Sequence, residues 1–151
     1  IYEGEEEVVK LRDRLIGLGV PADGFDLVDG SGLSYHDRVS PRALVTALRV
    51  ARNQFQSSPE FMSSLPVAGR DGTLKKRAKN ARDQVRAKTG LLNGITGLSG
   101  YAAMPTPGGS DEREVVVFSV LANGYRKSDK EAIKSLDAFV SKLVAVDERR
   151  N

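Results

Sequence analysis

Three consecutive residues have the types and order to do chemistry: Lys88, Thr89 and Gly90, at the end of the strand-like run QVRAKTG (84–90). A lysine at a strand end sets a fixed cation beside a cleft. There it attracts a carboxylate or lowers the pKa of a neighbouring hydroxyl. Thr89 offers a hydroxyl to an anion. Gly90 has no Cβ, so a second backbone can lie against the strand at that point. The same tripeptide also suits an ordinary strand end with a solvated lysine and a turn glycine, and three letters alone do not choose between the two.

Other candidates are weaker. Lys75, Lys76, Arg77, Lys79, Arg82, Arg86 and Lys88 crowd together with Asp83 as the only acid among them. Such a run reads as a solvated face, a groove for an anionic ligand or a phosphate-binding stripe. No aromatic residue interleaves it to stack on bases, so nucleic acid is the least favoured partner. His36 stands beside Asp37 and near Ser34, but a Ser-His-Asp relay needs convergence in space that neighbours in a turn rarely supply. His36 therefore reads as a surface residue. Gly30 and Gly32 are not followed by Gly-Lys-Ser/Thr, so they mark a turn and no phosphate loop.

The elements that must position these residues follow from periodicity. A helix is expected over 5–18, with Val8, Leu11, Leu15 and Leu18 on one face, and a short strand over 25–28. Ser40 and Pro41 open a second helix whose buried stripe is Leu44, Leu48, Ala51 and Phe55. Ser58 and Pro59 start a shorter helix that ends near Leu65, and 66–73 is a loop. From Val85 the period changes, and 84–90, 95–104 and 114–125 read as three strands with a mobile hairpin tip between the last two. A closing helix starts with a capping box, Ser128 to Glu131, and buries Ile133, Leu136, Val140 and Leu143. Helices, an antiparallel meander and a final helix predict an α+β fold, an antiparallel sheet with packed helices.

Composition sets outer limits. The chain has 151 residues, 40% of them hydrophobic and 28% charged, with a formal net charge of +3. There is no cysteine and one histidine, which rules out disulfides and thiolate metal sites and leaves no histidine cluster for a metal. No cofactor is expected. No apolar run reaches the ~18 residues of a membrane-spanning helix. The chain begins at Ile1, directly before a helix-like segment, and reads as a piece of a longer protein.

Taken together, DGSGLS (29–34), a capped helix, SLPVAGRDGTLKKR (64–77) and AKTG (87–90) before a Gly-Tyr strand resemble one family. It is that of the D-alanyl-D-alanine carboxypeptidase/endopeptidases, the class C low-molecular-mass penicillin-binding proteins. The likeness runs from about Asp23 to Val146. It implies the C-terminal part of a β-lactamase/transpeptidase-like domain over 1–151, and a serine acyl-enzyme mechanism built on Ser-x-x-Lys, Ser-x-Asn and Lys-Thr-Gly. By this resemblance Lys88, Thr89 and Gly90 are the third catalytic element. Lys88 and Thr89 also bind substrate, the backbone N–H of Leu91 completes the oxyanion hole, and Asn93 lies near a substrate side chain. The implied partners are peptidoglycan peptides, β-lactam antibiotics and the N-terminal remainder of the same protein, with membrane-surface association and no nucleic acid. The implied location is the periplasm or the extracytoplasmic face of the cell envelope.

Two departures stand out. No serine in the sequence has Lys three positions later or Asn two positions later, so the nucleophile and the middle element are expected outside this segment. Where the family usually places Ser or Thr after the glycine, this chain has Leu91, which has no hydroxyl for the terminal carboxylate. Two alternatives stay open at this point: a basic α+β nucleic-acid module, and a non-catalytic relative that binds cell-wall peptides.

Overall fold

The computed structural model describes residues 3–106, 113–126 and 128–145. In chain order the elements are α1 (Glu3–Gly17), β1 (Phe25–Asp26), β2 (Arg38–Val39), α2 (Pro41–Asn53), α3 (Ser58–Ser64), β3 (Val85–Leu92), β4 (Ile95–Pro105), β5 (Arg113–Asn123) and α4 (Asp129–Val144). β1 and β2 pair as a two-residue ladder, and β3, β4 and β5 form an antiparallel sheet in that order. The α+β expectation holds. The loop tip between β4 and β5, at 107–112, lies outside the described residues.

The sheet is covered on both faces by different helices. Period-2 alternation sends Val85 and Ala87 of β3, Leu98 and Ala102 of β4, and Phe118 of β5 to one side. There they pack with Leu136, Val140 and Val144 of α4, Leu74, Ala78 and Ala81, all nearly or fully buried. The other face of β3 carries Arg86, Lys88 and Gly90, registered with Tyr101, Ser99 and Gly97. This second face meets α2, where the Tyr101 hydroxyl donates to the Leu48 carbonyl at 2.6 Å. Burial raises the Tyr101 pKa, and the Arg52 cation only partly offsets it. Arg52 itself donates to the Val115 carbonyl of β5 at 3.2 Å, a second tie between α2 and the sheet.

Gly100 shows why β4 carries so many small residues. A Cβ there would sit 2.1 Å from the Arg86 carbonyl oxygen and 2.6 Å from the Ala87 Cα. Only glycine lets β3 approach this closely.

Several local expectations need correction. α2 ends at Asn53, and Phe55 lies beyond it, 95% exposed, so it is no part of a buried stripe. The periodicity of Leu44, Leu48 and Ala51 is real, but these residues are half-buried, and the fully buried contact is Ala43. On α1 Leu11 is exposed, as is Leu18 just past the helix end at Gly17, while Leu15 and Ile16 pack on the small cluster of Val20, Phe25 and Ala43. The 25–28 strand shortens to Phe25–Asp26, because its partner Arg38–Val39 is equally short. α3 is capped by Ser57, one residue earlier than expected, and without a side-chain hydrogen bond. The capping box at Ser128 is incomplete. Its hydroxyl lies 3.5 Å from the Glu131 carboxylate and caps no backbone N–H.

Candidate active site

Lys88 lies on an edge strand. β3 pairs with β4 on one side only, and on the other the chain at 66–68 covers just its first residues: Ala68 N–H donates to the Val85 carbonyl at 2.9 Å and Ala87 N–H to the Pro66 carbonyl at 3.0 Å. Antiparallel pairing alternates, so the odd-numbered residues of β3 aim their backbone groups outward. Beyond Ala87, the N–H and C=O of Thr89 and the N–H of Leu91 therefore face an open edge. The Thr96 hydroxyl, inside the sheet, accordingly donates to the even-numbered Gly90 carbonyl at 3.1 Å.

The lysine occupies the corner between this edge and the α2 face. Its Nζ donates to the Thr89 carbonyl at 2.8 Å and lies in a cleft of about 500 Å³. Leu44 and Leu48 of α2, Phe61 of α3, Leu65 and Leu121 of β5 wall the cleft. Gly90 and Gly97, directly opposite each other, make a floor without side chains. Ser99 adds a hydroxyl beside the lysine and shares a hydrogen bond with Ser119 at 2.8 Å. An extended peptide can lie along the open edge here and make main-chain bonds, with the lysine at its side.

Thr89 turns to the edge, and its hydroxyl donates to that of Thr73 at 3.0 Å. Thr73 sits in a 3₁₀ turn, Gly72–Leu74, and the Val67 N–H below it is held by the Asp71 carboxylate at 2.7 Å. In this bonded pair the Thr73 hydrogen is left for an anion, and the Thr89 hydrogen becomes a second donor once the hydroxyl rotates away from Thr73. Leu91 is 56% exposed, its side chain without a partner from the core. The Asn93 N–H donates to the Tyr35 hydroxyl at 3.1 Å, which ties the β3–β4 turn to the loop between β1 and β2.

That loop is built by two carboxylates. Asp29 accepts the N–H groups of Ser31 and Gly32 at 2.8 Å each, and these bonds hold its pKa below the ordinary carboxylate range. Gly32 takes φ +74°, the left-handed turn geometry its position in the sequence implies. Asp37 accepts from Val28 N–H at 2.7 Å and Asp29 N–H at 3.3 Å. Its carboxylate therefore serves the backbone, and His36 is an exposed residue in no relay.

The structure thus gathers Lys88, Thr89, Gly90 and the Leu91 N–H at one edge and sets Asn93 at the adjoining turn. Sequence reasoning missed Thr73, Ser99, Gly97 and Tyr35. Thr73 reaches Thr89 through the fold of the preceding loop, and only the strand register sets Ser99 and Gly97 opposite Lys88 and Gly90. No group of His, Asp and Glu suited to a metal occurs among the described residues. Among them no helix is long and apolar enough to cross a membrane.

Comparison with known proteins gives this edge its context. The D-Ala-D-Ala carboxypeptidase 3 (S13) family matches residues 4–143. A D-alanyl-D-alanine carboxypeptidase from Actinomadura is 38% identical over 128 residues, covering 78% of this chain and 22% of its own length. The penicillin-sensitive carboxypeptidase A of Dictyostelium discoideum is 34% identical over 126 residues, covering 82% and 24%. Penicillin binding protein 4 from Haemophilus influenzae, solved in complex with a β-lactam, superposes with a TM-score of 0.73 at 26% identity, over 90% of this chain and 32% of that one. A predatory endopeptidase of Bdellovibrio bacteriovorus shares the fold, with a TM-score of 0.74 at 18% identity, over 95% and 37%. The chain spans about a quarter of the length of the curated relatives it matches. With a family match along nearly its whole length and the lysine edge in place, the chain belongs to the D-Ala-D-Ala carboxypeptidase 3 (S13) family.

Proposed function

We propose that this chain supplies one wall of a serine-type D-Ala-D-Ala carboxypeptidase/endopeptidase that acts on peptidoglycan stem peptides at the outer side of the cytoplasmic membrane. The observation that carries this reading is the open β3 edge with Lys88 at its rim. The peptide lies along the edge, and its reacting carbonyl oxygen meets the outward N–H of Leu91. A serine from outside this segment attacks that carbonyl, the terminal D-alanine leaves with a proton, and water later cleaves the ester. The Lys88 ammonium raises the positive potential where negative charge develops and assists proton transfer. Thr89, with Thr73 behind it, faces the substrate carboxylate, and Asn93 borders the substrate side chain. The same site accounts for acylation by β-lactams, which mimic the acyl donor.

The test is labelling with a fluorescent penicillin. The full-length protein labels on a serine outside the 151 residues, and Lys88→Ala slows labelling by orders of magnitude. Covalent modification of a serine within this segment would refute the assignment. A full-length protein that binds stem peptides without ever labelling would support the non-catalytic relative instead.

A further inference from the structure

The basic run is not one stripe, and most of it has nothing to do with the cleft. Arg77 turns inward and pairs with Asp137 of α4 at 2.9 Å, both less than a fifth exposed. Arg86 donates to the Met62 carbonyl at the end of α3. The remaining cations gather elsewhere. Arg70, Lys75, Lys76, Lys79 and Arg82 surround a hollow of about 470 Å³ with Gly69 in its lining. A second hollow of about 400 Å³ shares Lys76 and Lys79 as its rim and adds Lys142, Asn80, Ser141 and Asp137, whose carboxylate is already taken up by Arg77. Asp83 beside the first hollow is divided between Arg70 at 3.3 Å and Arg82 at 3.5 Å. Lys75, Lys76 and Lys79 have no acidic partner among the described residues. In a chain of formal net charge +3, this patch holds more positive charge than the whole, so the rest is net acidic.

Such an arrangement costs self-repulsion and is relieved by an anion. The first hollow is ringed by charge and lacks any acid–base partner set for chemistry. Two hollows with a common rim suit a ligand that carries anions at intervals, more than a single compact one. No large hydrophobic residue between Gly69 and Gln84 is exposed, so nothing there would insert into a lipid layer. The same stretch contains no aromatic side chain, so nothing there would stack on bases. Arg82 precedes Lys88 by six residues, at most about 20 Å of extended chain, and lies past the end of β3 covered by 66–68.

We propose that the two adjoining hollows form a binding track for a flexible polymer of phosphate-linked units without bases, separate from the cleft at Lys88. The polymer is held by Lys75, Lys76 and Lys79 at the shared rim, with Arg70, Arg82 and Lys142 flanking. Its flexibility lets successive phosphates settle in successive hollows.

The test is binding of a glycerol-phosphate oligomer to the full-length protein, measured by calorimetry across a range of salt. About five neutralised phosphates predict a slope of log affinity against log salt near −3 to −4. Lys75→Gln, Lys76→Gln and Lys79→Gln together should reduce that slope by about 2 units and weaken binding at least tenfold. A charge-matched control, Arg12→Gln, Arg14→Gln and Arg49→Gln, should leave binding within about twofold, because those exposed residues lie outside the track. Unchanged thermal melting shows that the lysine variant is folded. The proposal is overturned if the two triple variants lose affinity equally, since that would mean net charge alone. It is also overturned if a single-stranded oligonucleotide or anionic vesicles bind through these lysines while the oligomer does not.

Discussion

At the scale of single residues, Lys88 and Leu91 carry the sharpest tests. If the full-length protein acts as proposed, Lys88→Ala should reduce its acylation rate by at least 100-fold, about 2.7 kcal/mol of transition-state stabilisation. A loss below tenfold would deny the ammonium a catalytic part. Leu91 bears on specificity. A Ser or Thr hydroxyl there would give a charge-assisted hydrogen bond to a terminal carboxylate, worth about 1.5–3 kcal/mol. Leu91→Thr should therefore raise kcat/KM for a peptide ending in D-Ala-D-Ala about tenfold or more, with little effect on a cross-linked substrate. Equal responses, or none, would make Leu91 mere surface. The lysine edge was legible in the sequence because it rests on contiguous residues. Thr73 was not, since its approach to Thr89 depends on how 66–74 folds beneath the edge, and no local pattern encodes that path.

At the scale of elements, β3 and β4 approach closely at Gly100. Gly100→Ala would force a Cβ into the backbone of Arg86 and Ala87, so the strands must separate. The expected cost is about 3 kcal/mol or more, read as a drop in melting temperature together with lost penicillin labelling. The start of α4 offers a pH test. The Tyr125 hydroxyl donates to the Asp129 carboxylate, and this bond pushes the Tyr125 pKa up to about 12. A raised phenol pKa means that the bond's stabilisation is full below the ordinary value near 10 and is lost as pH climbs through about 12. Tyr125→Phe should remove one late-titrating phenol from the ultraviolet titration and flatten the alkaline fall in stability. The strands and α4 were readable because their burial repeats every two or every three to four residues. The faces of α1 and α2 were not fully so. Leu11 is exposed despite its helical spacing, and Leu18 and Phe55 sit past the ends of their helices. Periodicity shows which residues share a face, while the packing partner decides whether that face is buried.

At the scale of the whole molecule, one ion pair joins the loop after α3 to the final helix. Arg77 meets Asp137 with both its Nε and Nη2, at 3.1 and 2.9 Å. Removing one partner leaves the other charge nearly buried, so Asp137→Ala should destabilise the chain by about 3 kcal/mol in chemical denaturation. Replacing both by apolar residues should cost less than the single change. The wall at 66–68 has a further effect on the enzyme proposed here. It leaves only two outward-facing rungs, Thr89 and Leu91, and a rung recurs at every second residue. An incoming peptide therefore has a fixed reading frame. Moved by one residue, it would turn its acceptors toward the wrong side, and moved by two it would run into the wall. The edge works as a ruler with a stop at one end: only the last few residues of a long strand can be gripped, and the rest must leave the surface.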